Sequence, residues 1–214
     1  LAEARRIEAI EALGDWAAPP ERDLVLHDWR PLDPSQRNVL DAKNALEPEF
    51  VHFASGVGGV TSAAITAAGN LKLSSIGKAL EVVTLNPEGR AEERVASLMS
   101  LEKLKYDRMD VVLSQLESRF SELPVELGGP VIQLISEVDE SRAINLINKT
   151  LASGQQMTQQ SAISTLGKMK SKPASDLIAT LLTKMNADDF QANLRLDVSL
   201  AAAQRSEANV KNQL

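Results

Sequence analysis

The 214-residue chain contains no cysteine and only two histidines. Without cysteine it forms no disulfides, thiolate nucleophiles, zinc–thiolate sites or iron–sulfur clusters. The absence of cysteine is compatible with either the cytosol or the periplasm. The two histidines, His27 and His52, are far apart in the sequence, whereas a helical histidine metal site places two of them about four residues apart. We therefore expect no metal, no other cofactor and no catalytic residue in this chain.

Clustered basic charge and long apolar runs are also missing. The formal net charge is −6 and the lysines and arginines are scattered, so we expect no nucleic-acid partner. No apolar run approaches the ~20 residues of a membrane helix, which argues against membrane insertion. The opening letters LAEARR contain neither an initiator methionine nor the apolar core of a signal peptide. We interpret the chain as a piece of a longer protein.

The chain does contain a short pattern that returns three times, an apolar helix face that closes on small residues and often a glycine. The copies occupy residues 7–14, 95–101 and 162–167. Each copy predicts an amphipathic helix whose apolar face needs a neighbouring helix to cover it. We therefore predict an all-α fold, an α-α superhelix of stacked helical hairpins, as a single domain over 1–214. Because the first helix begins in mid-pattern, we expect Ile7 and Ile10 to be exposed.

Glycine and proline set the predicted helix boundaries. An aspartate before Pro34 predicts a helix over 34–46. An irregular section follows at 47–90, with short helices near 49–54, 60–68 and 74–84. From residue 90 onward the 3.6-residue periodicity is clear, and it predicts a helix with Leu116 inward and Glu117 toward solvent. Further predicted boundaries are a start at Gly129-Pro130, ends at Gly154 and Gly167, and a last helix near 189–205.

Two pairs of adjacent carboxylates are candidates for acid–base chemistry. They are Asp139-Glu140 and Asp188-Asp189. Each pair stands at a predicted helix start, where a carboxylate caps backbone N–H groups and meets the positive end of the helix dipole. Capping therefore explains both pairs without a catalytic role.

One glycine-rich stretch, residues 55–62, could hold an anion on backbone N–H groups at a helix start. Its glycines are Gly56, Gly58 and Gly59. The stretch lacks the lysine of a P-loop, and no convincing strand precedes it as a dinucleotide fingerprint requires. The interpretation we favour is a flexible turn before a helix.

An alternative function uses this 50–62 loop together with His27, Trp29 and His52. The chain would then be a small-molecule-binding or catalytic helical domain, and these side chains would converge on one apolar concavity. The plainer interpretation is two loop histidines that pack on Trp29 and Phe53.

Stretches near the two ends of the chain resemble a known class of protein. They read RIEAIEALGDW at 6–16, continued by PPERD at 19–23 and WRPL at 29–32, and NLRLDVSLAAAQR at 193–205. These stretches resemble the helical segment of large bacterial proteins in which a sugar-dehydrogenase-like β-propeller precedes helical repeats and a c-type cytochrome domain follows them. The predicted hairpins resemble HEAT or armadillo repeats.

The resemblance implies that the chain is the middle module of a periplasmic or exported oxidoreductase whose propeller and haem domains do the chemistry. The chain has no Cys-x-x-Cys-His motif, so no catalytic or haem-binding residue carries over. We therefore predict a non-catalytic scaffold or spacer that is not itself an enzyme. Its expected partners are neighbouring domains of the same chain or another protein.

Overall fold

The computed structural model describes residues 2–22, 26–54, 56, 58–205 and 207–212. Helices account for 73% of the chain, and the described residues form no strand. Extended pairing within these ranges consists of an isolated antiparallel bridge between Arg22 and Trp29. The all-α prediction is confirmed. None of the described helices has the length and apolar character needed to cross a membrane.

The chain divides into two compact units, Leu1–Val112 and Leu113–Leu214, and each is described by itself. The prediction of a single domain over 1–214, and with it the α-α superhelix, stays a prediction. The boundary between the units lies within one helix, Met109–Ser118.

The first unit contains α1 to α6 and the start of α7. Their bounds are α1 Glu3–Gly14, α2 Val39–Leu46, α3 Phe50–Ala54, α4 Gly59–Asn70, α5 Gly77–Leu85, α6 Ala91–Leu104 and α7 Met109–Ser118. Single 3-10 turns precede α2 and α5, at Pro34–Gln36 and Ser74–Ile76. The short helices expected between 47 and 90 are therefore present as α3, α4 and α5.

The second unit contains the end of α7 and six further helices. Their bounds are α8 Val125–Val138, α9 Glu140–Ser153, α10 Gln156–Lys168, α11 Lys172–Asn186, α12 Arg195–Ala203 and α13 Ala208–Lys211. Single 3-10 turns precede α8 and α12, at Phe120–Glu122 and Ala192–Leu194.

In the first unit, α4 is the central helix, with α1 and α6 packed against it. The contacts form where glycine meets a small residue. A Cβ on Gly14 would lie 2.8 Å from the Cα of Ala67, and a Cβ on Gly69 would lie 2.7 Å from the Cβ of Ser100. These residues lie in the C-terminal halves of their helices, and at the other end the start of α4 lies beside Ile7 of α1 and Glu93 of α6, so the three helices run in the same direction. The recurring small residues of the sequence are therefore contact points between helices that are not consecutive in the chain.

The second unit repeats this arrangement, with α10 packed against both α8 and α12. A Cβ on Gly128 would lie 2.7 Å from Cγ2 of Thr158, and one on Gly167 would lie 3.0 Å from the Cα of Ala201. Gly167 therefore lies inside α10, one residue before its end, and serves as a contact rather than as a terminator.

The predicted helix start at Gly129-Pro130 is wrong. Helix α8 begins at Val125 and contains Pro130, which has no N–H to donate to the carbonyl of Glu126. Gly129 is buried, and a Cβ there would lie 2.8 Å from the Cβ of Ser161. The glycine that suggested a break is required by the contact with α10.

The predicted start of α2 is also too early. Asp33 accepts a hydrogen bond from the Ser35 N–H at 2.9 Å and caps only a 3-10 turn. The α-helix begins at Val39, after Asn38, whose side chain accepts from the Leu40 N–H at 3.0 Å. Two capping residues in succession thus divide the predicted helix 34–46.

The two carboxylate pairs differ in their positions. Asp139 caps α9 by accepting from the N–H groups of Ser141 and Arg142, as predicted. Asp188 instead follows the end of α11, in a left-handed conformation with φ 57°. Its carboxylate pairs with Arg195 at 2.7 Å, and α12 begins only at that arginine. The predicted helix start at Asp188-Asp189 is therefore wrong.

The first helix does not present its apolar face to solvent. Ile10 is buried in the packing of α1 against α4. Ile7 is half-buried, and its Cδ1 would lie 2.6 Å from a Cβ on Gly59. The expected exposure of Ile7 and Ile10 is therefore wrong, because α4 covers both.

Gly69→Ala tests the close contact of α4 with α6. We expect a loss of up to about 2 kcal/mol, since overpacking costs about 1–3 kcal/mol and better helix propensity returns about 1 kcal/mol. The new Cβ would stand 2.9 Å from the Cα of Ser100, so backbone has to move. Urea titration measures the change, with Thr66→Ala on the exposed side of α4 as a control expected to be neutral or slightly stabilising. A Gly69→Ala chain more stable than the wild type would contradict the tight contact.

Leu116 and Glu117 test the orientation of α7. Leu116 is buried, so Leu116→Ala should cost about 2–5 kcal/mol. Glu117, expected toward solvent, instead accepts from Nη2 and Nε of Arg142 on α9 at 2.7 and 3.1 Å. We therefore expect Glu117→Ala to cost about 1 kcal/mol, and the exposed control Gln115→Ala less than about 0.5 kcal/mol. Equal results for Glu117→Ala and Gln115→Ala in guanidinium titrations would mean that the ion pair contributes nothing.

Candidate functional site

The glycine-rich stretch 55–62 leads into the N-terminus of α4, where backbone N–H groups could bind an anion. Gly58 has φ 108°, a conformation that favours glycine, and no side chain caps the helix locally. The Gly58 N–H donates to Oε1 of Glu93 on α6 at 3.1 Å. Glu93 is buried, so a carboxylate of the chain itself already occupies the position of an anion.

Two further charged groups surround this turn. The Glu3 carboxylate and the Arg90 guanidinium each lie 3.6 Å from the position of a Cβ on Gly58. Two carboxylates and one guanidinium give the turn a net negative surrounding, which opposes phosphate binding. Ser55 and Val57, which belong to the same stretch, lie outside the described residues. Glu93 of α6 therefore caps α4, and Glu3 of α1 lies beside the same turn.

His27 and Trp29 lie in the segment that follows α1. Arg22 is bridged to Trp29, and its Nη1 donates to the carbonyl of His27 at 3.0 Å. His27 has a left-handed backbone with φ 58°, and both candidate side chains are exposed. These two candidates therefore belong to one small turn held by Arg22.

His52 and Gly56 belong to a different part of the first unit. His52 lies in α3 rather than in a loop, with its ring 5.8 Å from the ring of Phe53. The Gly56 N–H donates to the Phe53 carbonyl at 3.3 Å just after that helix ends. The contacts of His52 and Gly56 run to Phe53, whereas those of His27 and Trp29 run to Arg22.

A groove of about 860 Å³ lies in the first unit, between α1, α4 and the segment that follows α1. Its lining includes none of the histidine, tryptophan and glycine candidates. Its charged lining residues are Glu8, Glu11 and Asp15 from α1, and Arg22, Arg30 and Arg37 from the following segment. Small or neutral residues of α4, including Ala63 and Ala67, form another part of the surface. The groove therefore has an acidic strip and a basic strip.

A second groove, of about 540 Å³, lies in the second unit between the ends of α7 and α9 and the starts of α8 and α10. Most of its polar lining is uncharged, and several of these groups bond to the helices themselves. The Thr150 hydroxyl donates to the Leu146 carbonyl at 2.9 Å, and the Ser153 hydroxyl donates to the Lys149 carbonyl at 3.2 Å. The hydroxyls of Thr150 and Ser153 are therefore paired within α9 itself.

One buried carboxylate carries a dense set of contacts. Glu81 on α5 is only 3% exposed and accepts from the hydroxyl of Tyr106 at 2.7 Å. Its other oxygen pairs with Lys78 at 3.0 Å and with Arg108 at 3.3 Å. The Tyr106 ring in turn packs where Gly77 leaves room, since a Cβ on Gly77 would lie 2.7 Å from it. The cluster ties the chain after α6 to α5.

The cluster shifts the pKa of both of its central groups. The hydrogen bond from Tyr106, and then that from Lys78, holds the pKa of Glu81 below its ordinary value of 4.5. The same hydrogen bond raises the pKa of Tyr106 above its ordinary value of 10.0. Each shift keeps Glu81 charged and Tyr106 protonated, which is the state that holds the contact.

Sequence reasoning missed this cluster. The signal available was a glutamate at an inward position of α5, one residue after the fully buried Leu80. Its partner Tyr106 is 25 residues away, so local periodicity does not connect them. Within the part of the chain that the structure describes, no group of three or more histidine, aspartate or glutamate side chains is placed to hold a metal ion.

Comparison of the chain with protein-family profiles, with curated proteins and with solved structures finds no match. Functional conclusions therefore rest on the residues of this chain.

The Glu81 cluster gives a pH-dependent stability. A carboxyl with a folded-state pKa below the unfolded value of about 4.3 stabilises the fold above that value and loses this stabilisation as the pH falls through the folded value. We expect the wild type to exceed Glu81→Gln in unfolding free energy at pH 7, and the difference to shrink below about pH 4. Urea titrations across this range, with Glu88→Gln at an exposed loop position as control, measure it. A difference that is constant with pH would show that the charge of Glu81 is unimportant.

Proposed function

We propose that the chain is a non-catalytic helical scaffold that mediates interdomain or protein–protein contacts. The observation that carries the proposal is an apolar stripe on the solvent side of α12. Leu196 and Leu200 are 70% and 55% exposed, and Ala203, also exposed, continues the same side one turn later. Residues spaced by four and seven positions share one helix face, so these side chains are neighbours.

The opposite side of α12 is packed against α10 and α11 of the same unit. Val198 and Ala202 are fully buried, and Ala201 meets Gly167 of α10. The Asp197 carboxylate accepts from Gln160 of α10 at 3.2 Å. The helix is thus held in place on one side and carries aliphatic side chains on the other, which is typical of a protein contact surface rather than of a catalytic site.

The buried charged side chains of the first unit support the same proposal. Glu93 caps α4, Glu81 holds Tyr106, and Arg94 donates to the Thr84 carbonyl at the end of α5. These groups have structural partners that explain their burial. Under this proposal HEAT-like or armadillo-like hairpins form the scaffold, and the chain is the middle region of a longer bacterial oxidoreductase with a propeller before it and a cytochrome domain after it.

The proposal is tested by asking whether a partner covers α12 in the full-length gene product. We expect hydroxyl-radical oxidation of Leu196 and Leu200 to fall severalfold in the full-length product relative to the isolated chain. The single substitution Leu196→Lys should abolish the protection of Leu200, and Leu200→Lys that of Leu196, because a buried lysine cannot be solvated. The matched controls, Asn193→Lys and Gln204→Lys, each add the same charge at exposed polar positions nearby and should leave the protection of both leucines unchanged.

The unfolding transition of each variant is compared with that of the wild type, so that misfolding is recognised. Equal oxidation of the two leucines in the isolated chain and in the full-length product would contradict an interdomain role for α12.

A further inference from the structure

We propose that the charged groove of the first unit is a self-association surface that binds a second copy of this chain. The partner is identified by charge. The groove carries an acidic strip on α1 and a basic strip on the segment after α1, and such a surface is complementary to itself. The inference goes beyond the proposed scaffold function and concerns a different surface.

The acidic strip follows from the spacing of its residues. Glu8, Glu11 and Asp15 are three and four positions apart, so they line one side of α1. Glu8 and Glu11 are exposed, while Asp15 is half-buried and accepts from the side-chain amide of Asn70 at 3.4 Å. The strip therefore presents its negative charge to solvent.

The basic strip contains Arg22 and Arg37. Arg22 donates to a backbone carbonyl, that of His27, at 3.0 Å, and the Arg37 guanidinium carbon lies 4.8 Å from the ring centroid of Trp16. Both contacts are with uncharged groups, so they orient the guanidinium groups and leave their charge to act on another molecule.

A twofold axis makes the two strips match. If the axis lies in the interface, between the strips and parallel to them, rotation places the acidic strip of each copy on the basic strip of the other. Opposite charges then meet twice in one interface, and like charges are kept apart. A patch with charge of one sign would have the reverse effect, because it would repel its own copy.

Exposed apolar side chains stand beside the basic strip. Trp29 is 61% exposed and is bridged to Arg22, and Leu32, which lines the groove, is 51% exposed. Aromatic and arginine side chains are enriched in protein interfaces, where they supply buried area. The two side chains would supply the apolar contact that charge pairs alone do not give.

The test uses two charge-reversal variants of the whole chain. Variant A is Glu8→Lys/Glu11→Lys, which makes both strips positive, and variant B is Arg22→Glu/Arg37→Glu, which makes both negative. The control Glu49→Lys/Glu88→Lys changes the net charge as variant A does, at exposed positions outside the groove. Light scattering coupled to size-exclusion chromatography measures mass against the 23.1 kDa of one chain.

We expect the wild type and the control to show twice the single-chain mass as concentration rises, with dissociation promoted by salt. Variants A and B should each stay monomeric, with a dimer dissociation constant at least ~10-fold higher, because like charges face each other. An equimolar mixture of A and B should dimerise again, since every strip then meets its opposite. Recovery in the mixture also shows that both variants are folded, and circular dichroism checks this separately.

A wild type that stays at 23.1 kDa at all concentrations would overturn the inference. So would variants that dimerise alone, or folded variants that fail to associate when mixed. If variant B does not fold, Arg22→Glu alone replaces it, and dimerisation of its equimolar mixture with variant A is measured instead. A dimer abolished by Leu200→Lys but not by reversal in the groove would overturn the groove interface while leaving α12 as a contact surface.

Discussion

Close contact at glycine, between helices that are not consecutive in the chain, is the constraint on which both units depend. In the first unit Gly14 and Gly69 allow α1, α4 and α6 to approach until a Cβ would touch backbone, and Gly167 does the same between α10 and α12. At such a separation the helix axes leave no room for large side chains, so the apolar residues fill the space to either side of the contact. Gly69 and Gly167 each meet a small residue on the next helix but one along the chain, whereas Gly14 brings α1 against α4, past α2 and α3.

Close packing also determines how helix ends are satisfied. The ends of an α-helix leave backbone N–H and C=O groups without partners inside the helix, and burial makes them costly. Neighbouring helices supply the missing partners. Arg94 donates to the Thr84 carbonyl at 3.0 Å, near the end of α5, and Arg205 donates to the Leu166 carbonyl, near the end of α10. At the N-terminus of α4, Glu93 accepts a hydrogen bond from the Gly58 N–H. Buried charge in these units thus stabilises helix ends that the chain does not cap locally.

The sequence predicts what is local and repeated, and it fails where two distant residues decide the outcome. The 3.6-residue periodicity correctly predicts an all-α chain and the burial of Leu116. The periodicity does not show that Gly129 faces α10, so it predicts a helix start at this glycine and the proline after it. Glu117 looks solvent-facing on α7 alone, and only the position of Arg142 on α9 reveals its ion pair. The pairing of Glu81 with Tyr106 is unpredictable for the same reason, since Tyr106 is 25 positions away and outside any local pattern. The charged groove was missed because its two strips come from different elements, and only the fold brings them together.

The two proposed contact surfaces differ in the interaction on which they depend, and that difference follows from their composition. The stripe on α12 is aliphatic, so its association is driven by removal of apolar surface from water, which strongly hydrated salts such as sulfate strengthen. The groove strips are charged and solvent-exposed, so added salt weakens their attraction as the screening length falls to ~3 Å at 1 M. A contact at α12 and a contact at the groove therefore respond to sulfate in opposite directions.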